Sequence, residues 1–165
     1  MEKPDIKKVK QLLTEAPIGK YLGEYGIDIF SECASVVLKL DDNELLFHQG
    51  DTDSAFYILK RGRVARFVKD EKTGREKIIH VFERGDLVGE LSFIDGKPHT
   101  SSVKALGEAT IICFKEESFT PLITKEPEVM YQFMKAIITR VHHTLEDISR
   151  QQMALSSYIS GSPYR

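Results

Sequence analysis

The chain has 165 residues and sets 23 Lys+Arg against 25 Asp+Glu, a formal net charge of -2, so it has neither the basic excess of a nucleic-acid-binding surface nor an acidic tail. Its 41% hydrophobic and 29% charged residues fit an ordinary globular domain with a sizeable core and argue against intrinsic disorder. No apolar run approaches the roughly 18 residues of a membrane span, and Met1–Lys10 is charged where a secretory signal would be apolar. The expectation is a cytoplasmic protein with no membrane partner. Cys33 and Cys113 lie in apolar surroundings without Cys-x-x-Cys spacing, which predicts two buried thiols rather than a disulfide or a zinc site.

In chain order, Ile6 to about Phe30 has a helical apolar pattern (Ile6, Val9, Leu12, Leu13, then Ile18, Leu22, Ile27, Phe30) broken by Pro17, Gly19, Gly23 and Gly26, which predicts short helices and turns. From Ala34 the period changes to that of strands: Val36–Leu40, Leu45–Phe47, Ala55–Leu59, Val64–Val68, Lys77–Phe82, Leu87–Val88, Ser102–Ala105 and Ala109–Phe114, with a polar turn at Asp70–Gly74. About eight short strands in roughly 80 residues predict an antiparallel barrel or jelly roll, since parallel βαβ units would lack room for their helices. After Lys115 the pattern predicts one short helix over Glu116–Ile123 and a long one from Pro127, tolerated in a first turn, to about Ile159.

On that long helix Met130, Met134, Ile137, Val141, Leu145, Ile148 and Leu155 form an apolar stripe that must be covered. At 1.5 Å per residue about 30 residues span about 45 Å, longer than a small barrel. The stripe is therefore expected to meet a second copy in a homodimer, with Phe133 and Ile138 packing on the barrel.

The most informative segment runs from Gly85 to Val103, Gly-Asp-Leu-Val-Gly-Glu-Leu-Ser-Phe-Ile-Asp-Gly-Lys-Pro-His-Thr-Ser-Ser-Val. Gly89 and Gly96 permit tight turns, Glu90–Ile94 forms one helical turn with outward N–H groups, and Thr100–Ser102 add N–H and hydroxyl donors, together an anion nest. A carboxylate at Glu90 would repel the anion but accept a hydrogen bond from a sugar hydroxyl, pointing to a phosphate attached to a ribose. Taken alone, the same residues also describe a barrel turn with a solvated glutamate.

The pattern resembles the phosphate-binding cassette of the cyclic nucleotide-binding domain family, known from cAMP-dependent protein kinase regulatory subunits, cyclic nucleotide-gated channels and catabolite-activator-type regulators. There a Gly-Glu-Leu starts a short helix and Pro-Arg with small residues follows about nine residues after the Glu; here Gly89-Glu90-Leu91 is followed by Pro98-His99-Thr100-Ser101. Asn43–Asp51 and Phe56–Val64 look like the family's glycine-punctuated strand pairs, and the similarity runs from about Ile27 to Ile159.

The resemblance implies a mainly β fold with flanking helices. Its parts would be an N-terminal helical segment (1–33), a jelly-roll-like antiparallel β-roll (34–115) with the cassette at 85–103, C-terminal helices (116–159) and a tail (160–165). It implies a regulatory module whose ligand is cAMP, cGMP or another phosphate-bearing molecule. Gly89 would turn the chain into the short helix, Glu90 would hold the ribose 2'-hydroxyl, and N–H groups near Leu91, Ser92, Thr100 and Ser101 would cradle the phosphate. His99 stands at the phosphate-pairing Arg position, and imidazole lacks the permanent charge and planar fork of guanidinium. Losing one charged hydrogen bond of roughly 1.5–3 kcal/mol implies affinity weakened by about ten- to more than a hundred-fold. Lys97 is a candidate substitute charge, although a Lys in a Gly-Lys-Pro turn ordinarily faces solvent.

The alternative from a different class is a protein-interaction or dimerisation scaffold that kept the roll and lost its ligand, with a protein partner instead. No Ser/His/Asp or Cys/His arrangement, Walker loop or dinucleotide fingerprint is present, so no enzyme is expected. His142 and His143 point about 100° apart on a helix, and His48 and His80 lack a His-x-His partner, so no metal site is expected. With only Ser160–Arg165 after the long helix, no helix-turn-helix and hence no sequence-specific DNA binding is expected.

Overall fold

In the computed structural model, which describes residues 2–161, Asp5 caps the first helix by accepting from the N–H groups of Lys7 and Lys8 at 3.0 and 3.4 Å. Helix α1 (Ile6–Glu15) packs on α2 (Gly19–Glu32), which is kinked where Gly23 takes φ 65°, ψ 178°. Eight strands follow: β1 (Val36–Leu40), β2 (Leu45–Phe47), β3 (Ala55–Arg61), β4 (Val64–Lys69), β5 (Glu76–Phe82), β6 (Leu87–Val88), β7 (Ser102–Ala105) and β8 (Ala109–Lys115). Helix α3 (Glu90–Asp95) interrupts them, and α4 (Glu116–Phe119), α5 (Leu122–Lys125) and α6 (Pro127–Ser160) close the described chain. Of the predicted tail, residues 162–165 lie outside the described residues. Among the described residues no helix is long and apolar enough to cross a membrane.

The strands form two antiparallel four-stranded sheets, ordered β1-β8-β3-β6 and β2-β7-β4-β5. Two cores result. The first lies inside the roll, where Leu59, Val64, Val103, Ala105 and Ile111 are 0–1% exposed. The second lies between the outer face of the β8-β3 sheet and the helices, where Phe56, Ile58 and Phe114 meet Leu12, Leu13, Phe30, Phe119 and Phe133. Strand β3 serves both: Phe56 and Ile58 face the helices while Tyr57 and Leu59 face the roll.

Phe56 is fully buried, stacked on Phe114 with centroids 4.9 Å apart, and its ring also lies 5.0 Å from Phe93, 5.2 Å from Phe119 and 5.4 Å from Phe133. Cys33 and Cys113 are buried free thiols whose pKa values burial pushes up to about 11, so they are protonated and inert at neutral pH.

Two expectations are corrected. Glu116–Ile123 is not one helix: Pro121 has no N–H to continue the ladder, and the segment splits into α4 and α5. On α6 the roll-facing stripe is Val129, Phe133, Ala136 and Ile137; Ile137 is 3% exposed, whereas Ile138 is 65% exposed. Adjacent helical residues point about 100° apart, so burying Ile137 turns Ile138 outward. Met130, Met134 and Val141 pack partly on the helical core.

Phe56→Ala is expected to destabilise the chain by about 3–5 kcal/mol, because neither the sheet nor the helical layer can collapse into the cavity it leaves. Urea unfolding of the variant against the parent measures this; a loss near 1 kcal/mol would mean the five-ring cluster repacks.

Candidate functional site

Strand β6 is only two residues long because Gly89 turns the chain out of the sheet at φ 77°. An added Cβ there would stand 3.3 Å from the His99 ring and 3.5 Å from Phe47, so position 89 needs glycine for conformation and for space. Helix α3 starts at once with Glu90 and ends at Gly96, φ 67°, whose N–H bonds to the Ser92 carbonyl at 2.9 Å. Phe93 anchors α3 in the aromatic cluster, 5.0 Å from Phe56 and 5.8 Å from Phe119.

Glu90 is buried, 8% exposed, and its Oε1 lies 3.4 Å from Arg140 Nη1 on α6. The same guanidinium donates to the Leu87 carbonyl at 3.1 Å. One arginine thus ties the long helix both to the carboxylate of α3 and to the strand before it. Sequence reasoning missed this role of Arg140; no local signal marks it, since the contact joins residues fifty positions apart.

The loop after α3 is held by backbone: His99 N–H donates to the Asp51 carbonyl at 2.9 Å, and Gly50 N–H donates to the His99 carbonyl at 2.8 Å. The His99 side chain is 4% exposed. Its ring stacks on Phe47 at 3.7 Å and 8°, and Nε2 lies 3.1 Å from Asp53 Oδ1. The Tyr57 hydroxyl donates to the other Asp53 oxygen at 2.9 Å. Burial, and then the Asp53 carboxylate, pushes the Tyr57 pKa up, so the phenol stays a donor. The imidazole is therefore engaged in the wall of the roll. Lys97 is solvent-facing beside Asp95.

Gly89, Glu90, Leu91, Ser92, His99, Thr100 and Ser101 line one cleft together with Phe47, Arg66, Val88 and Val103. All seven sequence-derived candidates are brought together; Arg66, from β4 on the opposite sheet, was missed. The first-turn N–H groups of α3 have no intrahelical acceptor, and those of Thr100 and Ser101 enter none of the loop's backbone hydrogen bonds. The cleft combines free N–H donors, one neutralised carboxylate and a second guanidinium, which suits a polyhydroxylated anion.

The remaining histidines lie elsewhere. His142 and His143 are exposed and pair with Glu146 at 3.3 and 3.4 Å, His48 is exposed beside Asp51, and His80 packs edge-on against Phe82. Among the described residues no group of three or more His, Cys, Asp or Glu side chains converges as a metal site.

Residues 37–126 match the family description "Cyclic nucleotide-binding domain". Among curated proteins, a lysophospholipase of Neurospora crassa is 27% identical over 128 residues, which is 76% of this chain and 8% of the relative. The cAMP-activated global transcriptional regulator CRP of Salmonella typhimurium is 28% identical over 111 residues, 67% of this chain and 52% of that protein. The chain thus spans only a small fraction of the lysophospholipase and about half of the regulator. Among solved structures, the N-terminal domain of a transcriptional regulator from Streptomyces coelicolor superposes with a TM-score of 0.70 at 26% identity, covering 83% of this chain and 94% of that one. The regulatory domain of Toxoplasma gondii PKA, solved with cAMP, shares the fold at a TM-score of 0.66 and 20% identity, covering 79% and 49%.

Gly89→Ala is expected to cost about 1–2 kcal/mol from the left-handed backbone alone, with the His99 ring displaced as well. Chemical denaturation together with the His99 ring resonances in NMR checks both; unchanged stability and unchanged resonances would contradict the assigned tight turn.

Proposed function

The chain belongs to the cyclic nucleotide-binding domain family, and from that premise we propose that it is a non-catalytic sensor module. A cyclic nucleotide, cAMP or cGMP, binds in the cleft around Glu90, and its arrival is passed to helix α6 of a homodimer acting in the cytoplasm. The observation that carries this reading is the pairing of buried Glu90 with half-buried Arg140. A buried carboxylate costs several kcal/mol unless it is paired; here the partner comes from the one element long enough to leave the roll.

In this reading Glu90 accepts the ribose 2'-hydroxyl with the lone pairs that Arg140 leaves free. The cyclic phosphate lies against the N–H groups of Leu91, Ser92, Thr100 and Ser101. Movement of α3 on binding is felt by α6 along two routes, the Glu90–Arg140 pair and the Phe93–Phe56–Phe133 rings. A ligand shifts α6 only by the difference in its affinity for the two helix positions, and a pair that it remakes supplies such a difference.

The homodimer reading rests on the outward face of α6. Ile138, Leu145, Ile148, Leu155 and Ile159 are each 46–77% exposed, and with Val141, itself half-buried at the edge of the helical core, they recur at alternating spacings of three and four, with Gln152 filling the one missing position. That spacing supports a two-stranded coiled-coil seam. The engaged His99 supports weaker nucleotide binding than in relatives with an Arg there, and the same contact to Asp53 favours the scaffold reading as the competitor.

Thermal unfolding with and without nucleotide tests the sensor reading: ligand at 100 times its dissociation constant should add about 2.7 kcal/mol of stability, and Glu90→Gln should remove most of the shift. No shift with either cAMP or cGMP at millimolar concentration would sink the sensor reading and leave the scaffold. For the dimer, replacing Leu145 and Ile148 together by Glu should give a folded monomer in sedimentation at tens of micromolar, roughly the concentration at which a micromolar dimer is populated. A parent chain already monomeric there would refute the seam.

A further inference from the structure

Among the described residues Arg66 is a half-buried cation facing into the mouth of the roll without a side-chain partner. In the β4–β7 register it stands opposite Val103, which is 1% exposed in the roll core, so its side chain enters the inner face rather than solvent. The β4–β5 pairing shifts by one residue immediately after Arg66, and such a bulge re-aims the side chain beside it. Its Nε is buried with no hydrogen-bond partner, and among the described residues it forms no ion pair. The acid nearest in the lining, Glu90, is already paired with Arg140, and Glu76 on β5 is paired with Lys104. An Nε buried there without an acceptor costs stability that the fold does not recover from within.

Building on the sensor reading, we propose that Arg66 is the phosphate-pairing cation of this cleft, taking from the opposite sheet the role that the family pattern assigns to the position of His99. His99 is committed to Phe47 and Asp53, and Lys97 faces solvent beside Asp95. Arg66 lines the cleft with Glu90, Ser92, Thr100 and Ser101. Its planar fork and permanent charge suit the two exocyclic oxygens of a cyclic phosphodiester, a monoanion. The ligand is thereby clamped between the α3 side and β4 instead of within one loop.

Calorimetric titration of the intact chain with cAMP, cGMP and adenosine, for the parent, Arg66→Met and Arg66→Lys, tests this. Arg66→Met should weaken binding of the preferred cyclic nucleotide by about ten- to a hundred-fold, Arg66→Lys should lose less, and adenosine, which lacks the phosphate, should bind both variants as it binds the parent. The ligand-free Arg66→Met chain should unfold at a temperature no lower than the parent, because an unpaired cation has been removed. If the parent binds a cyclic nucleotide and Arg66→Met binds it within about three-fold, Arg66 is not the phosphate partner and the sensor reading stands alone. An equal loss for adenosine, or a lowered unfolding temperature in both ligand-free variants, overturns the assignment in favour of a base-stacking or structural role. A parent that binds neither cyclic nucleotide overturns both readings.

Discussion

Strand β3 is buried on both faces, and the structure is organised around that constraint. Most strands of a two-sheet roll bury one face and wet the other. Here Tyr57 and Leu59 fill the roll while Phe56 and Ile58 must be covered from outside, and covering them recruits α1, α2, α4 and α6. The Phe56 ring is the meeting point, since Phe93 reaches it from α3, Phe133 from α6 and Phe119 from α4. Aromatic pairs at these separations contribute about 0.5–1.5 kcal/mol each beyond burial. The helix that starts at the candidate site and the helix that leaves the domain therefore share one packed layer.

The cleft is built from backbone conformation first and side chains second. Gly89 and Gly96 bracket α3 in left-handed conformation, and two backbone hydrogen bonds through His99 hold the following loop against the β2–β3 turn. Because the His99 ring is engaged by Phe47 and Asp53 and Lys97 faces solvent, the wall of the roll is well satisfied but the cassette turns no cation of its own into the cleft. The cation that lines the cleft is instead Arg66 on β4, while Arg140 on α6 pairs with Glu90 from outside the lining; both elements are remote in sequence from the cassette. Glu90 is neutralised by a residue of α6, so the charge state of the site and the position of the long helix are one question.

The local features were legible in the linear chain. Strand and helix periods, the turn at Asp70–Gly74, the short helix after Gly89 and the long helix after Pro127 depend on contacts within a few residues, and they fall within one or two residues of their predicted bounds. The seven cassette candidates were legible for the same reason, since a glycine-bracketed helical turn and its loop are one continuous segment. The single helix expected over Glu116–Ile123 does not form, because Pro121 within it has no N–H to continue the ladder.

What the chain alone could not determine was which faces meet. Ile137 and Ile138 are equally apolar neighbours, and only the position of the roll decides that the first is buried and the second exposed. His99 is local to the cassette, yet its burial depends on Phe47 and Asp53, about fifty residues upstream. Arg66 and Arg140 look like ordinary polar residues of a strand and a helix until the two sheets bring the first into Glu90's cleft and α6 brings the second onto Glu90 itself. Periodicity carries local conformation because backbone sterics and hydrogen bonding act over a few residues. Charge pairing and burial are decided by contacts across the closed roll, and those exist only once it has folded.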